Sequence, residues 1–303
     1  MKKYIIAFSL LLTVSAFSQS EPKLSLFSYN PLQYNPAYAG VFNGLSVNGL
    51  YSSQWVGFEG APTTLFLSAH SNVFRREVGA GINVTSDKIG PVQDNQFVGN
   101  FAYHVNLNDE INLTFGLKAG IDNFIINYNL LSIENPEELG LIRGSVSQYS
   151  PIIGAGMYVS NENGYFGLSV PNLLETKFYN EFKNSVASAK PNYYLTAGYK
   201  FELGDEVFVT PNILTRVTSG APVSNLFAVN LDFENRILGS INMQPGASLG
   251  GFFGYRFENN IAVGYAYDNS LNKFSANNNG CHTFYMSFKL EDLFNNHYGY
   301  GTF

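Results

Sequence analysis

Apolar and polar positions alternate with period two along most of this chain. Ile111, Leu113, Phe115 and Leu117 are interleaved with Asn112, Thr114, Gly116 and Lys118. Tyr193, Leu195, Ala197, Tyr199 and Phe201 are interleaved with Tyr194, Thr196, Gly198, Lys200 and Glu202. The same alternation recurs around Phe227–Phe233, Phe253–Phe257 and Phe284–Leu290. Side chains two apart on a strand share a face, so each segment carries one apolar face and one polar or small face. The pattern predicts about fourteen strands in an all-β chain. The first are Leu45–Ser53, Thr63–Val73, Glu77–Asp87, Gln96–Asn106, Glu110–Tyr128, Ile152–Ser160 and Gly164–Val170. The others are Pro191–Leu203, Val207–Val217, Ser224–Glu234, Ile237–Gln244, Ser248–Phe257, Asn260–Asp268 and Cys281–Leu290.

A soluble sandwich hides such apolar faces in a core, whereas a membrane barrel turns them to lipid. The apolar faces here are long and aromatic, and the opposite faces are rich in Gly, as a narrow lumen requires. Several segments approach the roughly 9–11 residues that a tilted spanning strand needs. Lipid also demands closure, because an open edge leaves backbone groups unpaired. The expected fold is a single antiparallel outer-membrane β-barrel over residues 44–290, with a tail at 291–303. An even strand number brings both barrel ends to the periplasmic side. Asn161–Gly164, Leu203–Glu206 and Asn106–Asp109 read as short periplasmic turns, and Ser132–Ser147, Leu173–Lys190 and Asn269–Gly280 as longer outer connections. Residues 19–43 hold Pro22, Pro31 and Pro36 and so resist becoming a central strand or long helix. They are expected to line the periplasmic rim or to enter the lumen.

Composition sharpens this picture. Aromatics make up 16% of the 303 residues and charged residues only 13%, about half the usual charged share of a soluble domain. Residues 1–18 read as a signal peptide, with Lys2 and Lys3 before an apolar run and Ala16 and Ser18 at the cleavage positions. The expected location is therefore the outer membrane of a Gram-negative cell, in contact with its lipid, after signal-dependent export. One cysteine, Cys281, excludes an internal disulfide. A net charge of −6 argues against nucleic acid as a partner.

The chain has no HExxH motif and no Walker loop. No enzymatic activity, cofactor or metal is expected, since His70, His104, His282 and His297 lack ligand spacing. Gly79-Ala80-Gly81 and Gly154-Ala155-Gly156 sit within strands, where packing against neighbouring backbone is the reading. Lys118, Lys200, Glu202, Asp232, Arg256, Glu258 and Lys289 fall on the predicted luminal faces. Their mixed signs suggest cross-strand pairs that rigidify the interior, or a ring selecting a solute. Asp268 and His282 straddle the last long connection and are placed to hydrogen-bond across strands.

Five short motifs occur in order: Asn35-Pro36-Ala37-Tyr38-Ala39-Gly40, Gln54–Thr63, Asp87-Lys88-Ile89-Gly90-Pro91, Val263–Asp268 and Gly280-Cys281-His282. Over nearly the whole mature chain, these motifs resemble the PorP/SprF family of type IX secretion membrane proteins. Cys281 stands where that family's pattern leads one to expect Ser. The resemblance implies a barrel without enzymatic activity that serves type IX secretion and, in gliding bacteria, adhesin export. It implies as partners the C-terminal domain of a secreted cargo or adhesin, and other type IX components. In Asn35, Pro36, Tyr38 and Gly40 the residues themselves suggest a fixed turn, and in Trp55, Gly57 and Phe58 a turn with interfacial aromatics. Partner docking is the functional alternative for both groups. A porin-like channel for small solutes is the alternative function, because barrels of one shape do many things.

Overall fold

The structure is a computed structural model that describes residues 25–73, 77–130, 144–174, 176–178, 187–271 and 279–291. The expected signal peptide, residues 19–24 and the tail beyond Glu291 lie outside the described residues. The strands in chain order are β1 (Gly44–Gln54), β2 (Thr63–Val73), β3 (Val78–Ile89), β4 (Val92–Asn106), β5 (Asn112–Asn127) and β6 (Ser145–Ser160). Next come β7 (Gly164–Val170), β8 (Thr176–Phe178), β9 (Ala187–Ala189), β10 (Asn192–Tyr199), β11 (Phe201–Glu202) and β12 (Val207–Thr218). The last are β13 (Ser224–Phe233), β14 (Ile237–Gln244), β15 (Ser248–Arg256), β16 (Ile261–Ser270) and β17 (Cys281–Glu291).

β8 and β9 form a separate two-stranded sheet in the connection after β7. β11 prolongs β10 past a break at Lys200. The rest is a closed antiparallel barrel of fourteen strands. Each strand pairs with its chain neighbour, β10 bridges β7 to β12, and β1 pairs with β17 from Gly44↔Glu291 to Gln54↔Cys281. Closure leaves no sheet edge, the condition lipid imposes. Leu117, Phe101, Phe253 and Phe284 project outward and are exposed, whereas Ala102, Thr114, Ala266 and Thr283 face inward and are buried. The predicted phase of the alternation holds in every strand where it was read.

The chain enters β1 and leaves β17 at one end, where the turns at 161–163, 203–206, 234–236 and 257–260 are short. The strand ends flanking 128–144, 171–191 and 271–280 lie at the opposite, outer end, where outer-membrane barrels generally carry their long connections. Two strand starts differ from expectation by more than two residues. β4 begins at Val92 rather than Gln96, and β6 at Ser145 rather than Ile152. On their outward face the added stretches carry Gln93, Asn95, Ser145 and Ser147, with Tyr149 and Pro151 leading up to Ile153, so no apolar alternation runs through them. Backbone pairing extends them, as in Asp94↔Asp87 and Asn123↔Tyr149.

Residues 25–43 run through the lumen as a compact strap of three turns: Phe27–Tyr29, Pro31–Tyr34 and Pro36–Tyr38. Pro31 and Pro36 each open a turn, the position where a missing N–H costs nothing. The strap is packed on three sides. Leu26 joins Leu238, Phe252, Ala262, Ala266 and Tyr285; Phe27 and Tyr34 join Leu214, Leu226 and Ala228; Leu32 and Ala39 join Ala102.

Candidate functional site

The first constellation is the strap's Asn35–Gly40 motif, each residue of which has a defined partner. Asn35 caps its turn by accepting the Ala37 N–H at 3.0 Å and donates Nδ2 to Met157 O at 3.0 Å. Pro36 fixes φ for the first turn position. Ala37 and Ala39 are fully buried, and small side chains suit them because the strap backbone lies directly on the barrel wall. A methyl group added at Gly116 would overlap the Ala37 backbone, and one at Gly79 would overlap Ala39 O. The Tyr38 ring stands edge-on to His70 and Tyr158, with centroids 5.4 and 5.6 Å away. Gly40 has φ of 75°, a left-handed conformation in which Gly is unstrained, and donates its N–H to His70 Nδ1 at 3.2 Å.

Two histidines that carry no metal spacing thus hold the strap. His104 Nε2 lies 3.1 Å from Ala39 O, so it is the donor, and Nδ1 accepts from Thr114 Oγ1 at 3.0 Å. Ser169 Oγ donates to Tyr34 O at 2.8 Å and Asn83 Nδ2 to Leu32 O at 3.1 Å. Burial pushes the Tyr38 hydroxyl up to about 12, with Tyr285 adding to the shift.

The charged residues expected in the lumen divide into two groups. Lys118 is buried and points its ammonium at Gln33 O, 3.5 Å away. Asp232 and Arg256 form an ion pair of 3.3 Å across the lumen wall. Lys289 stands over the Phe42 ring at 5.1 Å. Lys200 instead marks the break between β10 and β11, over the Phe208 ring at 5.6 Å. Glu202 is exposed near the short-turn rim, and Glu258 lies in the turn after β15, 86% exposed and 3.2 Å from Arg236. The luminal expectation is corrected for these two: the strands end at their level, so water rather than protein faces them.

The second constellation is a cluster of turns at the outer end. The connection from Gln54 to Pro62 folds back on itself: Gln54 N–H donates to Pro62 O at 2.9 Å and Phe58 N–H to Trp55 O at 3.2 Å. Trp55 has φ of 49°, uncommon for a bulky residue, and Gly57 and Gly60 also have positive φ. Trp55 is 40% and Phe58 52% exposed. Gly90 N–H donates to Gly60 O at 2.9 Å, which ties the turn of the third motif to that of the second. Thr64 Oγ1 donates to Asp87 Oδ1 at 2.6 Å beneath them. His282 Nε2 bonds Asn279 O at 3.1 Å and Nδ1 bonds the Tyr265 hydroxyl. Asp268 is opposite Cys281 in register and fully buried, so it and His282 occupy opposite faces and do not meet. Four of the five motifs therefore converge on β1–β3, β16 and β17, while Asn35–Gly40 lies apart in the lumen. Sequence reasoning missed the strap-holding roles of His70, His104 and Gly116, which only contacts distant in sequence reveal.

The model of the family described as type IX secretion system membrane protein PorP/SprF matches residues 16–288. No curated protein matches the chain. Among solved structures, the Ralstonia pickettii toluene transporter TbuX is similar at a TM-score of 0.51 and 11% identity, over 85% of this chain and 92% of that one. The Acinetobacter baumannii outer membrane protein Omp33 is similar at 0.51 and 7% identity, over 83% and 100%. At these identities the likeness is one of fold: an outer-membrane barrel.

Proposed function

The chain belongs to the PorP/SprF family of type IX secretion system membrane proteins, and from that premise we propose that it is a non-enzymatic component holding secreted cargo at the cell surface. The cargo, adhesins of gliding cells among them, would be held through its C-terminal domain. One observation carries the reading: an exposed aromatic turn, Trp55 to Phe58, sits on the outer end of a barrel whose lumen its own strap occupies. Large aromatic side chains on a rigid base supply binding area at little entropic cost. The backbone bonds to Pro62 and Gly60 make that base rigid. The strap counts against the porin-like alternative, because Lys118, Tyr34 and Phe27 stand where a water path would run.

Affinity purification of the tagged protein from gently solubilised outer membranes, followed by mass spectrometry, tests the reading. Recovery of a large secreted protein through its C-terminal domain, or of other type IX components, supports it. The pair Trp55→Ala and Phe58→Ala should then reduce cargo recovery about tenfold or more, the scale of losing two hot-spot aromatics, with barrel assembly intact. Recovery of the barrel alone, with secretion normal in a deletion strain, overturns the reading.

A further inference from the structure

A cavity of about 120 Å³ lies in the half of the lumen next to the short turns. It has room for several waters, one of which needs at least about 10–15 Å³ of such space. Tyr29 and Tyr38 of the strap line it from one side, and the barrel wall contributes Asp232, Arg256 and Lys289, the only charged residues among those lining it. Their charges sum to +1, from two cations and one carboxylate. The distribution of partners is uneven. Arg256 is satisfied by Asp232 Oδ2 and by the side chain and carbonyl of Asn235, the last at 3.0 Å. The Lys289 ammonium has the Phe42 ring on one side, and among the described residues no oxygen accepts a hydrogen bond from it. The hydroxyls of Tyr38 and Tyr158, which also line the cavity, donate to no described residue.

The carboxylates of Asp232 and Glu291 act on this ammonium only through space. An ammonium held out of bulk water without a hydrogen-bonded acceptor is costly, and an anion with hydrogen-bond-accepting oxygens relieves that cost. Phenol hydroxyls lining the same cavity as an ammonium are able to donate to the same anion, and the tyrosine rings offer an apolar wall for a short carbon chain. We propose that this cavity is a binding site for a small monocarboxylate, between acetate and butyrate in size, reached from the periplasmic side. A single negative charge neutralises the lining. A dianion would leave the surplus negative, and a phosphate would forgo contact with the rings.

The carboxylate belongs either to a free acid or to the end of a polypeptide, and the experiment separates the two. The mature chain in detergent micelles is titrated with butyrate, with butylamine as the cation of matching shape, and with a short peptide carrying either a free or an amidated C-terminus. Saturable butyrate binding without butylamine binding is expected. Lys289→Gln should weaken it about tenfold, the scale of one lost charge-assisted hydrogen bond. Lys88→Gln, at an exposed position, should leave it unchanged. Tighter binding of the free-ended peptide than of butyrate, lost on amidation, supports the site with a polypeptide source; butyrate binding alone supports it with a free acid. Absence of saturable binding to either probe, equal binding of butylamine, or unchanged affinity in Lys289→Gln overturns the proposal. Heat-modifiable migration on gels reports assembly of each variant. Should Lys289→Gln not assemble, Tyr38→Phe with Tyr158→Phe carries the same test, since both keep the ring packing. Failure here leaves the cargo reading intact, because the two sites lie at opposite ends of the barrel.

Discussion

At the scale of single residues, the strap is held by close approaches that tolerate no side chain. Gly116 faces the Ala37 backbone, so Gly116→Val should destabilise the barrel by about 1–3 kcal/mol, the usual cost of overpacking. Gly99→Val is the control, since the nearest atom to an added methyl there is Ala119 O at 3.9 Å. Equilibrium unfolding in lipid vesicles reads both, and equal losses would place the strap elsewhere. Asn35→Ala removes a cap and the bond to Met157 O together and should cost about 0.5–2 kcal/mol in the same measurement. Part of this was legible beforehand. Pro36 and Gly40 announce a fixed turn, and Gly79 and Gly154 announce close backbone neighbours. Which backbone approaches was not legible, because Asn35 and Met157 are 122 positions apart and no local pattern links them.

Among the elements, the strands were the readable part and the strap the unreadable one. Period two shows wherever one face meets lipid, as in Leu113–Leu117. It vanishes at Val92–Asn95 and Ser145–Ser147, where the outward side chains are polar, and there the strands ran on unannounced. The strap's prolines excluded a strand without choosing between rim and lumen; that choice rests on apolar contacts of Phe27, Leu32 and Tyr34 with four distant strands. Burial makes the strap sensitive to alkali. Tyr38 is raised from the ordinary value near 10 to about 12, and Tyr29 and Tyr34 are raised as well. A raised phenol favours its neutral form in the folded state. Its stabilisation is therefore complete below pH 10 and is lost as pH rises through 12. Phenolate absorbance should show these tyrosines ionising late, with protease cleavage near residues 25–43 appearing in the same window. Ionisation of all tyrosines near pH 10, with no protected fraction, would contradict a buried strap.

Viewed whole, the barrel is lopsided. β5 and β6 have 16 residues each and β4 has 15, whereas β7 has 7 and β10 and β14 have 8. The surplus of β4–β6 lies at the outer end, and its outward face changes character there. Below are Phe97, Ile121 and Ile153; above runs a hydrogen-bonded row in which Ser86 Oγ donates to Asn95 Oδ1 at 2.7 Å and Ser147 Oγ to Asn123 Oδ1 at 2.6 Å. Asn95 and Asn123 are partners in register, so the row is continuous across β3–β6. Hydrocarbon does not cover such a row at low cost, since its amides and hydroxyls keep unused donors and acceptors. The lipid boundary must therefore fall between Ile153 and Ser147, which are about 20 Å apart along β6 at roughly 3.3 Å per residue. Beyond it, the sector stands clear of the membrane as a wall beside the outer mouth. Ser147→Cys in vesicles should react with a membrane-impermeant maleimide, while Ile153→Cys should resist it and be quenched by brominated lipid once labelled in detergent. Native Cys281 is 1% exposed and stays silent in both assays. If Ser147→Cys proved as unreactive as Ile153→Cys, lipid would cover the polar row, and the wall would not be available to anything arriving from outside the cell.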